Sequence, residues 1–451
     1  MSDINLTVFD PALWENYIGV TYDTTIRRSK ILDLMKENTQ VHDGPQGKYF
    51  KFNDMLGGNQ GIGSRLEGEF LPDGDTVQMN NPIAYLKTHY ARTGDATYQS
   101  MVDAVQSKTA FGNFARLVLT PLIDNLKDDL DRQACGFAAG AFCRIDTTNN
   151  AIVTGVNGSC SIDTAFGANN LTGVNVSTKG WISGIARGMR IVAGPNLDGS
   201  ALRSGGQSAK VTAVNFLGNA NGGSVTFDNV PVDWANNDYL FRGDQYGTNT
   251  QSGGTDREMM GLEGLVDDGN LVPVLETIDR TTTPEWASPL IDASAAPYSG
   301  AFTDGLAMTA ITNADLYGGG TVKAFVTGVD EWRQAYNAIR GLGGFGARRD
   351  APNGTMGQKG IDIDTPYGSI NLRAVSRIVP GRAYALDTST LHRFVDGTGD
   401  WVKTTGTMWQ QVRSGSAVKD AFFAYYRTRM QLASDNPRKS VKIVNINSAL
   451  Y

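Results

Sequence analysis

No apolar run in this sequence approaches the roughly 20 residues that a membrane-spanning helix needs. Its start, MSDINLTVFDPALWENY, lacks the basic-then-apolar pattern of a secretory signal. Cysteine is scarce: Cys135, Cys143 and Cys160 are odd in number and widely spaced, which suits reduced thiols in a cytosolic product, not a disulfide framework or a zinc site. Histidine is as scarce. His42, His89 and His392 have no partner at helical spacing, so no metal cradle is legible. A basic excess is missing too, since 40 Lys and Arg stand against 46 Asp and Glu for a net charge of −6. Proteins that grip nucleic acid through phosphates are normally basic; lining a container around DNA remains compatible with this balance. Neither a Gly-x-Ser-x-Gly elbow nor a Tyr-x-x-x-Lys pair occurs. The acidic runs Asp128-Asp129-Asp131 and Asp267-Asp268 do not fit a calcium loop and read as solvated faces. The stretch from Gly57 to Gly63 imitates a dinucleotide fingerprint. That chemistry needs a buried strand before it and a helix after it, and KYFKFND and SRLEGEFLPDGD supply neither.

With 451 residues, 41% of them apolar and 19% charged, the chain has material for two or three compact units. Its 53 glycines against 15 prolines point to many turns with positive φ, as in β-rich architecture. The most distinct element lies within 109–140. Thr120 fits an N-cap, Pro121 the first helical position and Asp124 the first turn. Leu119, Leu122, Ile123, Leu126, Leu130, Ala134 and Phe137 recur at helical spacing. The pattern predicts a helix from Pro121 to Gly136 or Gly140, with a turn or two of helix before Pro121 and a kink there.

Taken in order, 1–45 reads as an arm with two short helices, one carrying Trp14, Tyr17 and Ile18, the other over 26–36 with Ile31, Leu34 and Met35 on one side. Strands are predicted at 48–54 and 83–90, with 28 residues of little periodicity between them. A loop that long is uncommon, and a two-stranded excursion does not support itself in water, so it is expected to pack on a neighbouring molecule. Region 144–250, rich in Gly, Asn, Ser, Thr and Val, predicts a small β-barrel or sandwich with strands at 189–193, 209–217, 224–230 and 239–242. Farther on come a helix over 301–317 stopped by Gly318-Gly319-Gly320, a buried strand at 323–327, a helix over 330–340, and a glycine-rich loop holding Arg348 and Arg349. Strands follow at 360–365, 369–375, 383–387, 406–413, 421–432 and 440–446. The run Phe422, Phe423, Tyr425, Tyr426 predicts one long strand, buried on both faces, that crosses back to the long helix; a base-stacking platform is the weaker reading.

This order of parts resembles the major capsid protein of tailed bacteriophages, the Hong Kong 97 type of α+β fold. SAVKDAFFAYYRTRMQLASDNPRKSVKIVNI looks like the family's closing strands, TVKAFVTGVDEWRQAYNAI like the strand and helix of its axial (A) domain, and GSINLRAVSRIVPGRAYALD like the strands beside them. The resemblance implies an N-arm over 1–45, an extended E-loop over 46–92 and a peripheral (P) domain with the spine helix over 93–143. A connection over 251–299, an A domain over 300–405 and returning P-domain strands over 406–451 complete it. The β-rich module at 144–250 has no counterpart and reads as an insertion. The function implied is structural, with no catalysis and no cofactor. Copies form hexamers and pentamers that tile an icosahedral virion shell around packaged double-stranded DNA, assembled in the host cytoplasm away from membranes. The partners are other copies, a portal protein and, in some systems, separate scaffolding and cement (decoration) proteins. Contacts between subunits are expected at Trp14 and Tyr17 in the arm, Arg65 in the E-loop, and Arg348 and Arg349 in the A-domain loop. Two alternatives stay open: an encapsulin-like compartment of the same fold, and a β-rich binding or adhesion protein suggested by 144–250. No long charged helical prefix exists, so fused scaffolding is not expected. No lysine lies between Phe52 and Leu86, which argues against the lysine–asparagine cross-link that some relatives form at the E-loop.

Overall fold

The computed structural model describes residues 31–446 except 98–107, 163–184, 216–222, 244–256, 342–360 and shorter breaks of one to five residues. A single helix, Lys108–Cys135, runs for 28 residues. It begins 13 residues before Pro121 (121 − 108), so helix does precede the proline as expected, over more than the turn or two foreseen, and the proline sits inside the helix. Its missing N–H removes one intrahelical hydrogen bond, a loss opposed by the packing of the half that follows. There Leu130, Ala134 and Cys135 enter the largest core, with Met430 and Leu432 from a sheet, Ile31 and Leu32 from the start of the described chain, and Trp286. Ile123, one to two turns earlier, packs with Ala91, Trp401, Ala424 and Tyr426.

The sheet that meets this helix has five strands. Lys36–Asn38, Leu391–Val395, Tyr425–Ser434 and Asp400–Trp401 form its main path, and Lys87–Arg92 also pairs with Tyr425–Ser434. Two expectations are corrected here. Residues 31–38 are not helical: a 3-10 turn at Leu32–Leu34 is followed by a strand that pairs in parallel with Leu391–Val395. The apolar side chains Ile31, Leu32 and Met35 are drawn into the main core, and Arg393 Nη1 donates to the Leu32 carbonyl at 2.6 Å. The 421–432 strand is also broken. Ala417–Phe423 joins Gln410–Ser414 and Ala96–Thr97, and Tyr425–Ser434 belongs to the five-stranded sheet. The break is tertiary in origin: the Thr93 N–H donates to the Ala424 carbonyl at 3.0 Å, and the Ala424 N–H donates to Thr93 Oγ1 at 2.8 Å. Burial alternates from Tyr425 to Met430, and Gln431 to Ser434 are all buried, so the strand is covered on both faces only in its second half.

A six-stranded sheet runs in the order Leu290–Asp292, Val441–Val444, Ala383–Leu386, Ala324–Thr327, Gly368–Ala374, Ile361–Thr365. Helix Asp304–Gly318 covers it through Leu306, Ala307, Ala310, Ile311 and Ala314. Thr303 caps this helix by accepting the Leu306 N–H. At the other end the three glycines have separate reasons. Gly319 takes the left-handed φ of +61° that ends the helix. Gly318 and Gly320 lie against the 438–439 backbone, where an added Cβ would stand 2.6 and 2.7 Å from carbonyl oxygens.

A closed barrel is built from Ser159–Ile162, Ser224–Phe227, Ala209–Asn215, Arg190–Gly194, Tyr239–Arg242 and Ala141–Asp146, each pair antiparallel. Of barrel and sandwich, the structure has the barrel. Its interior holds Cys143, Ile145, Cys160, Ile162, Val225, Phe227 and Leu240. All three cysteines are free and buried, and burial pushes the Cys160 thiol up to about 12.

The acidic runs are corrected as well: Asp129 and Asp267 are buried and paired. Asp129 Oδ1 accepts from Arg132 Nη2 at 3.1 Å and lies 3.0 Å from Arg242 Nη1 on the last barrel strand. Arg132 also makes a bidentate pair with Glu258. Burial opposes the charge on Asp129, but the two guanidinium groups outweigh it and hold its carboxyl down to about 2. This network ties the long helix to the barrel. Asp267 Oδ2 accepts the backbone N–H groups of Gly269, Leu271 and Val272, each at 3.0 Å, and Oδ1 accepts from Lys442 Nζ at 3.1 Å.

Glu331, fully buried in the first turn of Val329–Gly341, accepts the Gly381 N–H at 2.6 Å. Burial raises its carboxyl most; its own N–H and that of Gly381 pull the other way, Asp330 adds to the rise, and the result is about 7 against an ordinary 4.5. The native state therefore binds this proton more tightly than the unfolded chain. The stability it contributes is complete below about pH 4.5 and is lost as pH rises through 7. Glu331→Gln, which cannot ionise, is expected to gain roughly 2–3 kcal/mol relative to the parent between pH 5 and pH 8. Urea unfolding at the two pH values checks this; a difference that stays constant with pH would count against it.

Candidate inter-subunit surfaces

Region 46–92 is an antiparallel excursion. Gly47–Lys51 pairs with Ile83–Tyr85, placing Tyr49 opposite Tyr85, and farther out Asp54–Gly57 pairs with Gln78–Asn80. The root is fixed to the five-stranded sheet. Phe50 stacks on Phe394 with ring centroids 3.7 Å apart, and Lys48 Nζ and Arg429 Nη1 each lie 2.8 Å from Asp396. The Ile83 N–H donates to the Glu276 carbonyl at 2.9 Å. Glu276 and Thr277 both hold positive φ, +53° and +70°, at the turn of a small hairpin. The Glu276 carboxylate accepts the Ser434 N–H at 2.8 Å, which fixes that turn against the same sheet.

The tip is a different environment. Leu66 to Glu69 form a turn in which the Glu69 N–H donates to the Leu66 carbonyl at 3.2 Å and the Glu69 carboxylate accepts the Leu66 N–H at 3.1 Å. Gly68 supplies φ +92° at the third position. Around this turn Ile62 is 84%, Leu66 77% and Phe70 96% exposed. A lone exposed leucine is ordinary, but three large apolar side chains left bare around one turn make this a candidate contact surface. Sequence reading recognised the excursion and missed these three residues, because they follow no period. The available signal was Ile, Leu and Phe set in an otherwise glycine-rich and acidic loop.

Of the residues expected at subunit contacts, Arg65 lies exposed on this tip. Trp14, Tyr17, Arg348 and Arg349 fall outside the described residues. Gly57 ends the outer hairpin strand, and the described residues from Gly61 to Phe70 form irregular chain and a turn, so among the described residues no helix N-terminus stands at this glycine run. Among the described residues no group of three or more His, Cys, Asp or Glu could hold a metal ion, and no helix is long and apolar enough to cross a membrane. His89 is buried; burial, opposed in part by Asp129, pushes it down to about 4. His42 is exposed, and His392 lies 3.1 Å from Asp435.

No family model matches the chain, and no curated protein matches its sequence. Solved structures do match. The cyanophage A-1(L) capsid asymmetric unit aligns with a TM-score of 0.51 at 9% identity, covering 93% of each chain. The capsid of a native GTA particle gives 0.38 at 10% identity over 94% of this chain and 90% of that one. A virus-like particle from Pyrococcus furiosus gives 0.36 at 7% over 95% and 99%. The cyanophage alignment identifies a capsid-protein fold. More narrowly, this is the major capsid protein fold of tailed phages.

Proposed function

We propose that this chain is the major capsid protein of a tailed phage, a non-enzymatic subunit whose copies form hexamers and pentamers and close an icosahedral shell around double-stranded DNA. The observation that carries the reading is the hairpin: a root locked onto the five-stranded sheet and a tip whose Ile62, Leu66 and Phe70 no part of the described chain covers. Burying those three side chains is worth roughly 1.5–3 kcal/mol each, and in this reading a neighbouring copy does it. Residues 1–45 are then the arm, 46–92 the E-loop, 93–143 and 406–451 the P domain, 300–405 the A domain, and the barrel region 144–250 an insertion that braces neighbours from outside. Trp14, Tyr17, Arg65, Arg348 and Arg349 take part in subunit contacts. A portal protein, and scaffolding or cement proteins where used, are the other partners. Negative-stain imaging and sedimentation of the purified protein test this: megadalton hollow particles are expected, and a compact monomer under all assembly conditions would overturn it.

A further inference from the structure

Lys442 is a lysine set in a core. In the strand Val441–Val444, Val441 and Ile443 enter the core under helix Asp304–Gly318. Lys442 therefore points to the other side of the sheet, where it stands opposite Tyr384 and is fully buried. Its Nζ meets two carboxylates from one segment, Glu263 Oε1 at 2.8 Å and Asp267 Oδ1 at 3.1 Å. Both acids are fully buried as well. Arg382 and the Tyr384 hydroxyl hold Glu263, and Arg280 Nη1 lies 3.8 Å from Asp267 Oδ2. Taking so many charges out of water is costly even when they are paired.

The Asp267 carboxyl is held as a reacting carboxyl would be. Oδ1 faces the lysine. Oδ2 accepts the backbone N–H groups of Gly269, Leu271 and Val272, each at 3.0 Å, with the Arg280 guanidinium beyond them. These donors form an oxyanion hole around one oxygen of a group whose other oxygen touches an amine. Burial, reinforced by Arg382 and opposed by Asp267, pushes Lys442 down to about 7, so the nucleophilic amine is accessible at neutral pH. Burial works against the charge on Asp267, but Lys442 and Arg280 outweigh it and hold the carboxyl below its ordinary value. The proton that turns it into an acid must therefore come from the lysine itself.

We propose that Lys442 and Asp267 join in an isopeptide bond formed by the folded subunit itself, with Glu263 carrying a proton. The ammonium gives one proton to Oδ1. The amine then attacks Cγ, negative charge gathers on Oδ2 among its N–H donors, and Glu263 Oε1 takes a second proton from the nitrogen. Glu263 returns that proton to Oδ1, the Cγ–Oδ1 bond breaks, and water leaves. One ammonium and one carboxylate become one amide and one water, and the balance needs no other reactant. Holding the two groups in contact replaces an encounter in solution, which is a large part of the barrier. Two opposite charges leave the interior together, so neither is left unpaired. Arg280 keeps its four backbone carbonyls, and Glu263 keeps Arg382. The bond ties residues 175 positions apart within one subunit, unlike the lysine–asparagine link between subunits that some relatives form, and it stands whether or not the chain builds a shell.

Intact-mass spectrometry of the denatured full chain tests this. Its mass should lie one water, about 18 Da, below that of the sequence, and proteolysis should release a branched peptide carrying both Asp267 and Lys442. Lys442→Arg should show the full mass and only linear peptides. Glu263→Gln should be mostly unlinked, since losing a general base slows such a step by roughly 10²–10⁴-fold. A parent chain that keeps its full mass after prolonged incubation at neutral pH holds an ordinary buried ion pair, and the isopeptide is overturned. A water lost by succinimide closure at Asp268-Gly269 would give the same mass with a linear peptide, and would overturn it too. So would an equal mass deficit in Lys442→Arg, or a branched peptide as abundant in Glu263→Gln as in the parent. The parent's mass and peptides decide the matter even if neither variant folds.

Discussion

Arg280→Met is expected to lower unfolding free energy by about 3–5 kcal/mol, among the largest effects available to one substitution in this chain. The Arg280 side chain is fully buried. Nη2 donates to the Leu265 carbonyl at 2.8 Å, Nη1 to the carbonyls of Gly264 and Val272 at 3.1 and 3.3 Å, and Nε to that of Trp286 at 3.2 Å. One planar group thus satisfies backbone acceptors from three separated places in 264–286, and it also lies 3.8 Å from Asp267. Methionine fills similar volume and leaves those carbonyls buried without donors. Arg280→Lys should recover less than half of the loss, because a single ammonium cannot reproduce the fork. Burial pushes Arg280 down to about 10, opposed by Asp267 and Glu276, so it stays charged at neutral pH. The urea midpoint of the unassembled protein measures the effect; a shift below about 1 kcal/mol would show that water or local rearrangement replaces the guanidinium.

Replacing Ile62, Leu66 and Phe70 together with serine should have the opposite profile. All three are exposed and no described residue covers them, so the unfolding midpoint of the subunit should move by less than about 0.5 kcal/mol. Assembly should be lost. If each side chain contributes roughly 1.5–3 kcal/mol on burial, every hairpin contact is weakened by about 4–9 kcal/mol, enough to remove an interface of ordinary strength. Sedimentation should show only small species where the parent gives particles. Particles of normal yield and heat resistance from the triple variant would mean that the tip is not a joint, and the proposed function would lose its main support.

Elements with strong local signals were legible from the residues. The helix Asp304–Gly318 lies close to its expected place because Thr303 caps one end and a left-handed glycine stops the other. Four of the six barrel strands lie close to their expected places, Tyr239–Arg242 to the residue, and Ala141–Asp146 and Ser159–Ile162 escaped the sequence reading. Other elements were decided by distant partners. Ile31, Leu34 and Met35 have helical spacing, yet this segment gains more from the main core and from parallel pairing with Leu391–Val395 than a short isolated helix could offer. The aromatic strand reads as continuous because nothing near Ala424 disfavours extension; only Thr93, 331 residues away, divides it between two sheets. Asp267 looked like a surface acid because a sequence does not reveal that Lys442 and Arg280 will be brought against it.

Residue order alone dictated the glycine-punctuated β texture, the apolar stripe of the long helix, and a hairpin too long to stand by itself, since each follows from propensity and spacing within a few turns of chain. Three-dimensional packing chose which acids lie inside and where a strand changes sheets. Those outcomes depend on contacts across hundreds of residues, whose energies no local pattern records.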